Sequence, residues 1–500
     1  MKSSTTSIKI LKIGLAKAKD NALLLGFFKN KVDMMGDIKL IDNSLGGIIS
    51  SYIKDGNFKG EKSEVRVIYT GKNMKNIVLA GLGEGNKFSF EILSCVIASA
   101  SRKLRDSKIE SFCIFLDSFN DGKLDDEKVV EKIVLSSLMG LYQFTDYKTK
   151  DKDEIRHVRQ ITLITSSGKN FEKTLMRSLV VADAVNKTRD LVNTPPNVAT
   201  PEYISNYAKG LAIKSSLNCT VFDEKQILGM RMGCIGAVGK GSVNKPRLVV
   251  IEYKAGGSKS PIAIVGKGVT FDSGGLNVKP YPYILNMKDD MGGAVAAMHV
   301  IEACAKLKLP INVAVIAPLC ENMIDANSYR PDDVLTAYNG MTIEIKNTDA
   351  EGRLILADAL SYAAKMKPQA LIDIATLTGA STIVLGRIGT PFLSTDERLS
   401  EKLKNASKSS LEKIWELPLW QEYEESIKSD IADIKNISEE GDAGVIIGAT
   451  FLKNFTENLP WAHIDIGTTV WSKTEKGVLT KGATGATVRL IIDLLIDWKQ

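Results

Sequence analysis

Apolar residues come along this chain in short blocks separated by longer amphipathic stretches. Within residues 1–165, Ala22 to Phe28, Val65 to Thr70, Ile77 to Leu82, Ser111 to Leu116 and Gln160 to Thr165 have the length and composition of strands. Phe90 to Leu104 reads as a helix. From Phe171 to Val192 apolar residues recur at helical spacing, and Pro195-Pro196 stops the pattern. Beyond it, Leu248 to Tyr253, Ile262 to Val265, Asn312 to Ala317, Thr342 to Ile345, Ala370 to Ala375 and Trp461 to Asp465 read as strands. Gly292 to Leu307, Gly352 to Lys365 and Gly482 to Trp498 read as helices. Nearly continuous apolar strands alternating with helices predict α/β architecture, with sheets covered on both faces. The expected organisation is an N-terminal α/β domain over 1–168, a connecting helix over 169–197 and a larger α/β domain over 198–500.

Composition narrows this picture. Hydrophobic residues make up 44% and charged residues 25% of 500 residues, as in ordinary globular protein. No apolar run approaches the ~18 residues of a membrane-spanning helix, and Ala22 to Phe28 lacks a cleavage-site pattern, so it reads as a core strand. Six cysteines without C-x-x-C spacing read as free thiols, which fits a cytoplasmic setting. A net charge of +6 from 65 basic and 59 acidic residues does not demand a nucleic-acid partner. The dense charge run at 146–157 reads as a solvated loop. Only three histidines occur, His157, His299 and His463, and no two share a local motif. A zinc site of H-E-x-x-H type therefore cannot be built, and any catalytic metal must rest mainly on oxygen ligands.

Candidate chemistry concentrates in three glycine-flanked segments near strand ends. The first is Gly266 to Gly275, carrying Lys267 and Asp272, with Lys279 shortly after. The second is Met287 to Gly293, with Asp289 and Asp290 before an apolar helix. The third, Asn347-Thr348-Asp349-Ala350-Glu351-Gly352-Arg353-Leu354, precedes the body of another helix. In an extended segment, Asp349 and Glu351 would point to one side. Helix capping is the plainer reading of the second or third segment alone. Taken together, Asp272, Asp290, Asp349 and Glu351 beside one lysine would be severely unfavourable without cations. Two divalent metals relieve that charge. Other signals carry less. The stretch Gly236 to Ser242 misses a P-loop at Cys234 and Gly241, and Gly81 to Gly85 reads as a tight turn. His299 reads as a core histidine and His463 as structural support.

These segments resemble the signature of the leucyl aminopeptidase family of cytosolic metallopeptidases, and N-T-D-A-E-G-R-L matches its octapeptide without a departure. The resemblance implies a macro-like N-terminal domain and a larger catalytic domain with a mixed central sheet flanked by helices. It implies Lys267, Asp272, Asp290, Asp349 and Glu351 as ligands of two metals, Mn²⁺ or Zn²⁺, with Asp272 and Glu351 bridging. Lys279 then polarises the scissile carbonyl, and Arg353 holds a bicarbonate that acts as base. Met287, Asn347, Thr376, Leu377 and Gly379 match positions lining the substrate pocket. The implied activity is removal of N-terminal residues, leucine and other apolar ones preferred, from peptides by a hydroxide bridging the metals, in a cytoplasmic homohexamer. Two alternatives stay open: a dipeptidase or carboxypeptidase using the same site, and DNA binding through the N-terminal domain by lysines such as Lys148, Lys150 and Lys152.

Overall fold

A computed structural model describes residues 6–498 except 19, 30–33, 35, 72–73 and 151–153. Lys152 and the middle of the 146–157 charge run thus lie outside the described residues, whereas Lys148 and Lys150 are exposed. The chain forms two compact units, Met1–Asp183 with Lys473–Lys481, and Ala184–Ser472 with Gly482–Gln500.

The first unit is built on a six-stranded sheet. Its strands are β1 (Ser7–Lys12), β2 (Ala22–Phe28), β3 (Val65–Tyr69), β4 (Asn76–Gly83), β5 (Ser111–Phe115) and β6 (Gln160–Thr165), in the order β1-β6-β5-β2-β4-β3. All neighbours are parallel except β3 on β4. Alternate residues of one strand join different cores. Leu24, Val78, Phe112 and Leu163 pack with the helices Phe90–Asp106 and Asp126–Gly140, while Leu23, Leu25, Ile77 and Leu79 pack with Ile41 and Ile49. Both faces are covered, which is why these strands lack polar alternation in sequence. The segment from Lys473 to Lys481 belongs to this unit, where Arg102 Nη1 donates to the Gly477 carbonyl at 2.7 Å.

The second unit holds a nine-stranded mixed sheet. It contains β7 (Asn218–Phe222), β8 (Arg247–Lys254), β9 (Ile262–Gly266), β10 (Gly268–Asp272), β11 (Asn312–Asn322), β14 (Ala370–Ala375), β15 (Thr390–Ser394), β16 (Ile414–Glu416) and β18 (Trp461–Asp465). The order is β16-β15-β18-β14-β9-β11-β8-β7, with β10 beside β11. Three short strands, β12 (Val334–Thr336), β13 (Thr342–Glu344) and β17 (Ile434–Lys435), form a separate sheet. At the centre β18, β14, β9 and β11 run parallel, and every residue of β9, β11 and β14 is buried. The predicted two-unit α/β fold with mixed sheets is therefore observed.

Some expectations shift. The predicted helix over Gly482 to Trp498 forms only from Val488 to Ile496. Gly482, Gly485 and Thr487 have φ of 100°, 69° and 68°, a left-handed backbone that no helix can contain. Met287–Met291 is a 3-10 turn ahead of the helix Gly292–Leu307. Glu351 is the first residue of its own helix, Glu351–Ala364, so it does not share an extended segment with Asp349. Among the described residues, no helix is long and apolar enough to cross a membrane.

Candidate metal centre

The polar cluster forms where the buried strands of the second unit end, the usual ligand-binding edge of an α/β sheet. Lys267 follows β9, Asp272 closes β10, and Thr376 and Leu377 follow β14. Two glycines let the helices approach. A Cβ on Gly293 would lie 1.9 Å from the Ile374 carbonyl oxygen, and one on Gly352 would lie 2.4 Å from Lys267 Cε. A side chain at Gly293 would press on the backbone of β14 and push the helix start away from the strand end, and one at Gly352 would displace the Lys267 side chain.

Lys267 is almost fully enclosed. Its Nζ lies 2.6 Å from Asp290 Oδ1, 2.9 Å from Glu351 Oε1 and 2.8 Å from the Thr376 carbonyl oxygen. Lys279, partly exposed, has Nζ 2.8 Å from Asp272 Oδ2 and 2.5 Å from Asp349 Oδ1. Asp272 Oδ1 accepts from Gly274 N and Asn322 Nδ2, each at 2.9 Å. Ligand atoms of Asp272, Asp290 and Glu351 lie within 4.8 Å of one another. Asp349 joins them through Lys279. Neither helix start takes a cap from these carboxylates, so capping does not explain them.

The electrostatics are those of crowded negative charge. Burial, then the neighbouring Glu351 and Asp272, hold the Asp290 carboxyl well above its usual range despite Lys267. Asp349 is pushed up to about 7 by burial and by Asp272. Burial alone would lower the ammonium pKa values of Lys267 and Lys279, but the surrounding carboxylates raise both. Asp290 Oδ2 is buried without a hydrogen-bond partner. Glu351 Oε1 is also buried and meets Lys267 at ion-pair distance without an aligned hydrogen bond. Buried carboxylate oxygens left open beside excess negative charge are a donor set suited to hard divalent cations.

Arg353 lies in the first turn of the helix that Glu351 begins and is buried. Burial lowers its pKa to about 10, against the opposing charges of Glu351 and Asp465. Its Nη1 donates to the Asn436 carbonyl at 2.6 Å, and its Nε is buried without a partner. Thr376 Oγ1 donates to the Asp290 carbonyl at 3.1 Å. Asn347 Oδ1 accepts from Asp349 N at 2.8 Å, and Leu377 N donates to Asp465 Oδ1 at 3.1 Å. Met287 stands in the 3-10 turn that carries Asp290, and Gly379 is exposed with open space beside it. His299 is a satisfied core residue, with Tyr207 Oη 2.8 Å from Nε2 and Thr188 Oγ1 3.0 Å from Nδ1. His463 Nδ1 meets Asp373 Oδ1 at 2.6 Å inside the sheet, apart from the carboxylate cluster.

Three supporting residues escape the sequence reading. Asn322 ends an apolar strand, and only its adjacency to Glu321 hints that the strand end is polar. Asn436 accepts from Lys346 N at 2.8 Å and donates Nδ2 to the Asn347 carbonyl at 2.7 Å. Asp465 holds the turn after β14 through Leu377 N and Thr378 Oγ1, the latter at 2.6 Å. No local motif marks the last two, because their partners lie about 90 residues away in sequence.

A buried carboxylate–lysine centre at the strand ends of a mixed α/β sheet defines a class, the metal-dependent hydrolases with oxygen-rich sites. The sequence profile of the cytosol aminopeptidase family's catalytic domain matches residues 186–492, and that of its N-terminal domain matches 24–151. A probable cytosol aminopeptidase of Geobacter sp. (strain M21) is 39% identical over 482 residues, covering 95% of this chain and 96% of its own. One from Alkaliphilus metalliredigens is 38% identical over 494 residues, covering 97% and 98%. Among solved structures, a mutant of tomato leucine aminopeptidase superposes with a TM-score of 0.88 at 29% identity, over 98% of this chain and 96% of that one. The bottromycin maturation enzyme BotP in complex with Mn gives 0.86 at 27%, over 96% and 99%. The chain belongs to the cytosol aminopeptidase family. It is accordingly a metal-dependent aminopeptidase, a hydrolase.

Proposed function

We propose that this enzyme removes the N-terminal residue of peptides, leucine and other apolar residues preferred, with two divalent metals, Mn²⁺ or Zn²⁺, per subunit. The observation that carries this reading is the buried group of Asp272, Asp290 and Glu351, whose ligand atoms lie within 4.8 Å of one another. With Lys267 and Asp349 they would hold the two metals, Lys267 as a neutral amine once the metal displaces its proton. When bound, the metals supply Lewis acidity, which makes water a nucleophile near neutral pH and polarises a carbonyl.

The chain's own residues do the rest. Lys279 points its ammonium at the carboxylate cluster from the more open side, where it can donate to the oxygen of the scissile carbonyl as negative charge grows there. Arg353, with its buried Nε unpaired, is suited to hold a bicarbonate that accepts the proton of the attacking water. Met287, Asn347, Thr376, Leu377 and Gly379 line the place of the first side chain. The free α-amine of the substrate is the group that distinguishes an N-terminus from an internal bond. Six free cysteines support a reducing, cytoplasmic setting, and by family likeness the enzyme is a homohexamer.

The test compares leucine p-nitroanilide with its N-acetylated form on metal-stripped enzyme with Mn²⁺ or Zn²⁺ restored. Cleavage of only the free-amine substrate, dependent on metal and lost in Asp349→Ala, is expected. Equal cleavage of the blocked substrate would sink the aminopeptidase mechanism. A preference for short chains of two residues would point to a dipeptidase.

A further inference from the structure

Thr348 sits between the substrate-side Asn347 and the cluster residue Asp349, and it is fully buried. Each of its polar groups is engaged. Its N donates to Asn277 Oδ1 at 2.8 Å, and its Oγ1 donates to the Gly274 carbonyl at 2.7 Å while accepting from Asn277 N at 2.8 Å. Its carbonyl oxygen receives Tyr329 Oη at 2.6 Å and Asn322 Nδ2 at 3.0 Å. The same Asn322 Nδ2 donates its other hydrogen to Asp272 Oδ1 at 2.9 Å.

Asn322 therefore joins two segments that are distant in sequence. It lies opposite Asp272 in the parallel register of β10 on β11. Its backbone carbonyl also accepts from Ser273 N at 3.0 Å and Ser273 Oγ at 2.7 Å. The orientation of its amide is fixed by chemistry: a carboxylate and a carbonyl only accept, so the nitrogen must face both. Its Oδ1 is buried without a partner, an arrangement that folding alone disfavours. A Cβ on Gly275 would lie 2.9 Å from that Oδ1, which leaves little space for a longer side chain. Leucine supplies no donor, and aspartate would set a negative charge against Asp272.

We propose that Asn322 is a positioning residue of the metal centre: its amide fixes the Asp272 carboxylate relative to the Asp349–Glu351 segment, and so sets metal affinity. The proposal rests on the two-metal reading above, and binding rather than activity is its first readout. Supporting partners of metal ligands are worth about 10- to 100-fold in affinity or activity. Asn322→Ala and Asn322→Asp in the full chain are expected to weaken Mn²⁺ binding in competition calorimetry by about that factor. At saturating Mn²⁺, kcat on leucine p-nitroanilide should fall while KM stays near the wild-type value.

A purely structural role would instead lower the unfolding midpoint of the metal-stripped protein and leave Mn²⁺ affinity unchanged. Wild-type affinity in folded Asn322→Ala overturns the proposal. If neither variant folds, Asn322→Ser decides, since its single hydroxyl hydrogen keeps a polar group in the buried space but cannot serve both Asp272 Oδ1 and the Thr348 carbonyl. A several-fold loss of Mn²⁺ affinity there supports the proposal, and no loss overturns it. Wild-type enzyme that binds Mn²⁺ but cleaves no free-amine substrate would defeat the peptidase reading alone, and the affinity comparison would still judge Asn322.

Discussion

The two units of this chain use the same construction and put different things at the strand ends. Both have parallel central strands buried on two faces. In the first unit, charges after the strands are shared locally. Asp117, just past β5, accepts Thr165 Oγ1 at 2.6 Å and Ser166 N at 3.0 Å, and Lys29, just past β2, pairs with Glu61 at 2.7 Å. In the second unit, four carboxylates share two lysines, and Asp290 Oδ2 has no partner. The lesson is that the layered fold provides an edge, and the residues on it provide chemistry. Neutral donors or one-to-one pairing make that edge a scaffold. Unbalanced buried negative charge makes it a cation site.

The largest expected effect comes from breaking that imbalance. Asp272→Asn keeps the shape of the side chain and removes its charge. Aminopeptidase activity should fall by at least about 10²-fold, since a proposed metal ligand is lost from the site. The unfolding midpoint of the metal-stripped protein should change little or rise, because mutual repulsion with Asp290 and Glu351 is relieved. Calorimetric unfolding beside the kinetic assay checks both. A large fall in stability with activity intact would mean that the cluster is structural.

A smaller effect separates scaffold from site within the second unit. Asp358 lies on the same helix as Glu351 and Arg353, fully buried, and accepts from Ile235 N at 2.9 Å and Tyr338 N at 2.8 Å. Burial pushes its pKa up to about 7 against the pull of those backbone donors. The folded form then holds a proton that the unfolded chain has released above ~pH 4. This group's contribution to stability is therefore fully present below ~pH 4, declines as pH rises and is lost by about pH 7. Asp358→Asn removes that titration. Urea midpoints between pH 5 and 8 should fall less steeply in the variant than in the parent. An unchanged slope would show that Asp358 does not titrate there.

The smallest effect is expected in the first unit. Asp117→Ala deletes an exposed acceptor and should cost about 1 kcal/mol of stability, with kcat and KM unaltered. A loss of kcat would mean that strand-end charge in the first unit also serves catalysis, and the contrast between the units would fail.

Much of this was legible in the amino-acid order. The central strands of both units are mainly apolar, and length and flanking residues set their limits, as with Ala370 to Ala375, where Asp373 is the one charged residue. Strand β1 falls outside the apolar blocks because its lysines and isoleucines alternate, the pattern of a half-exposed edge strand rather than of a buried one. The start of the last helix was misplaced because the positive φ of Thr487 leaves no mark on a hydrophobic pattern. At the site, Lys267, Asp272, Asp290, Asp349, Glu351 and Arg353 stand in compact segments rich in glycine and charge, so they could be singled out. The partition among them could not. Asp349 goes to Lys279 and Glu351 to Lys267, because Asp349 lies in the turn before the helix that Glu351 begins.

The sequence by itself thus determined the alternation of apolar strands and helices, the scarcity of histidine and the octapeptide, since each is a local property of neighbouring residues. The tertiary structure alone decided that Asn322 meets both Asp272 and Thr348, and that Asn436 clasps Arg353 and the Asn347 backbone. It also decided that Lys473–Lys481 joins the first unit. Hydrogen bonds between segments many residues apart depend on strand order and register, and those are fixed only when the strands bury their apolar faces together.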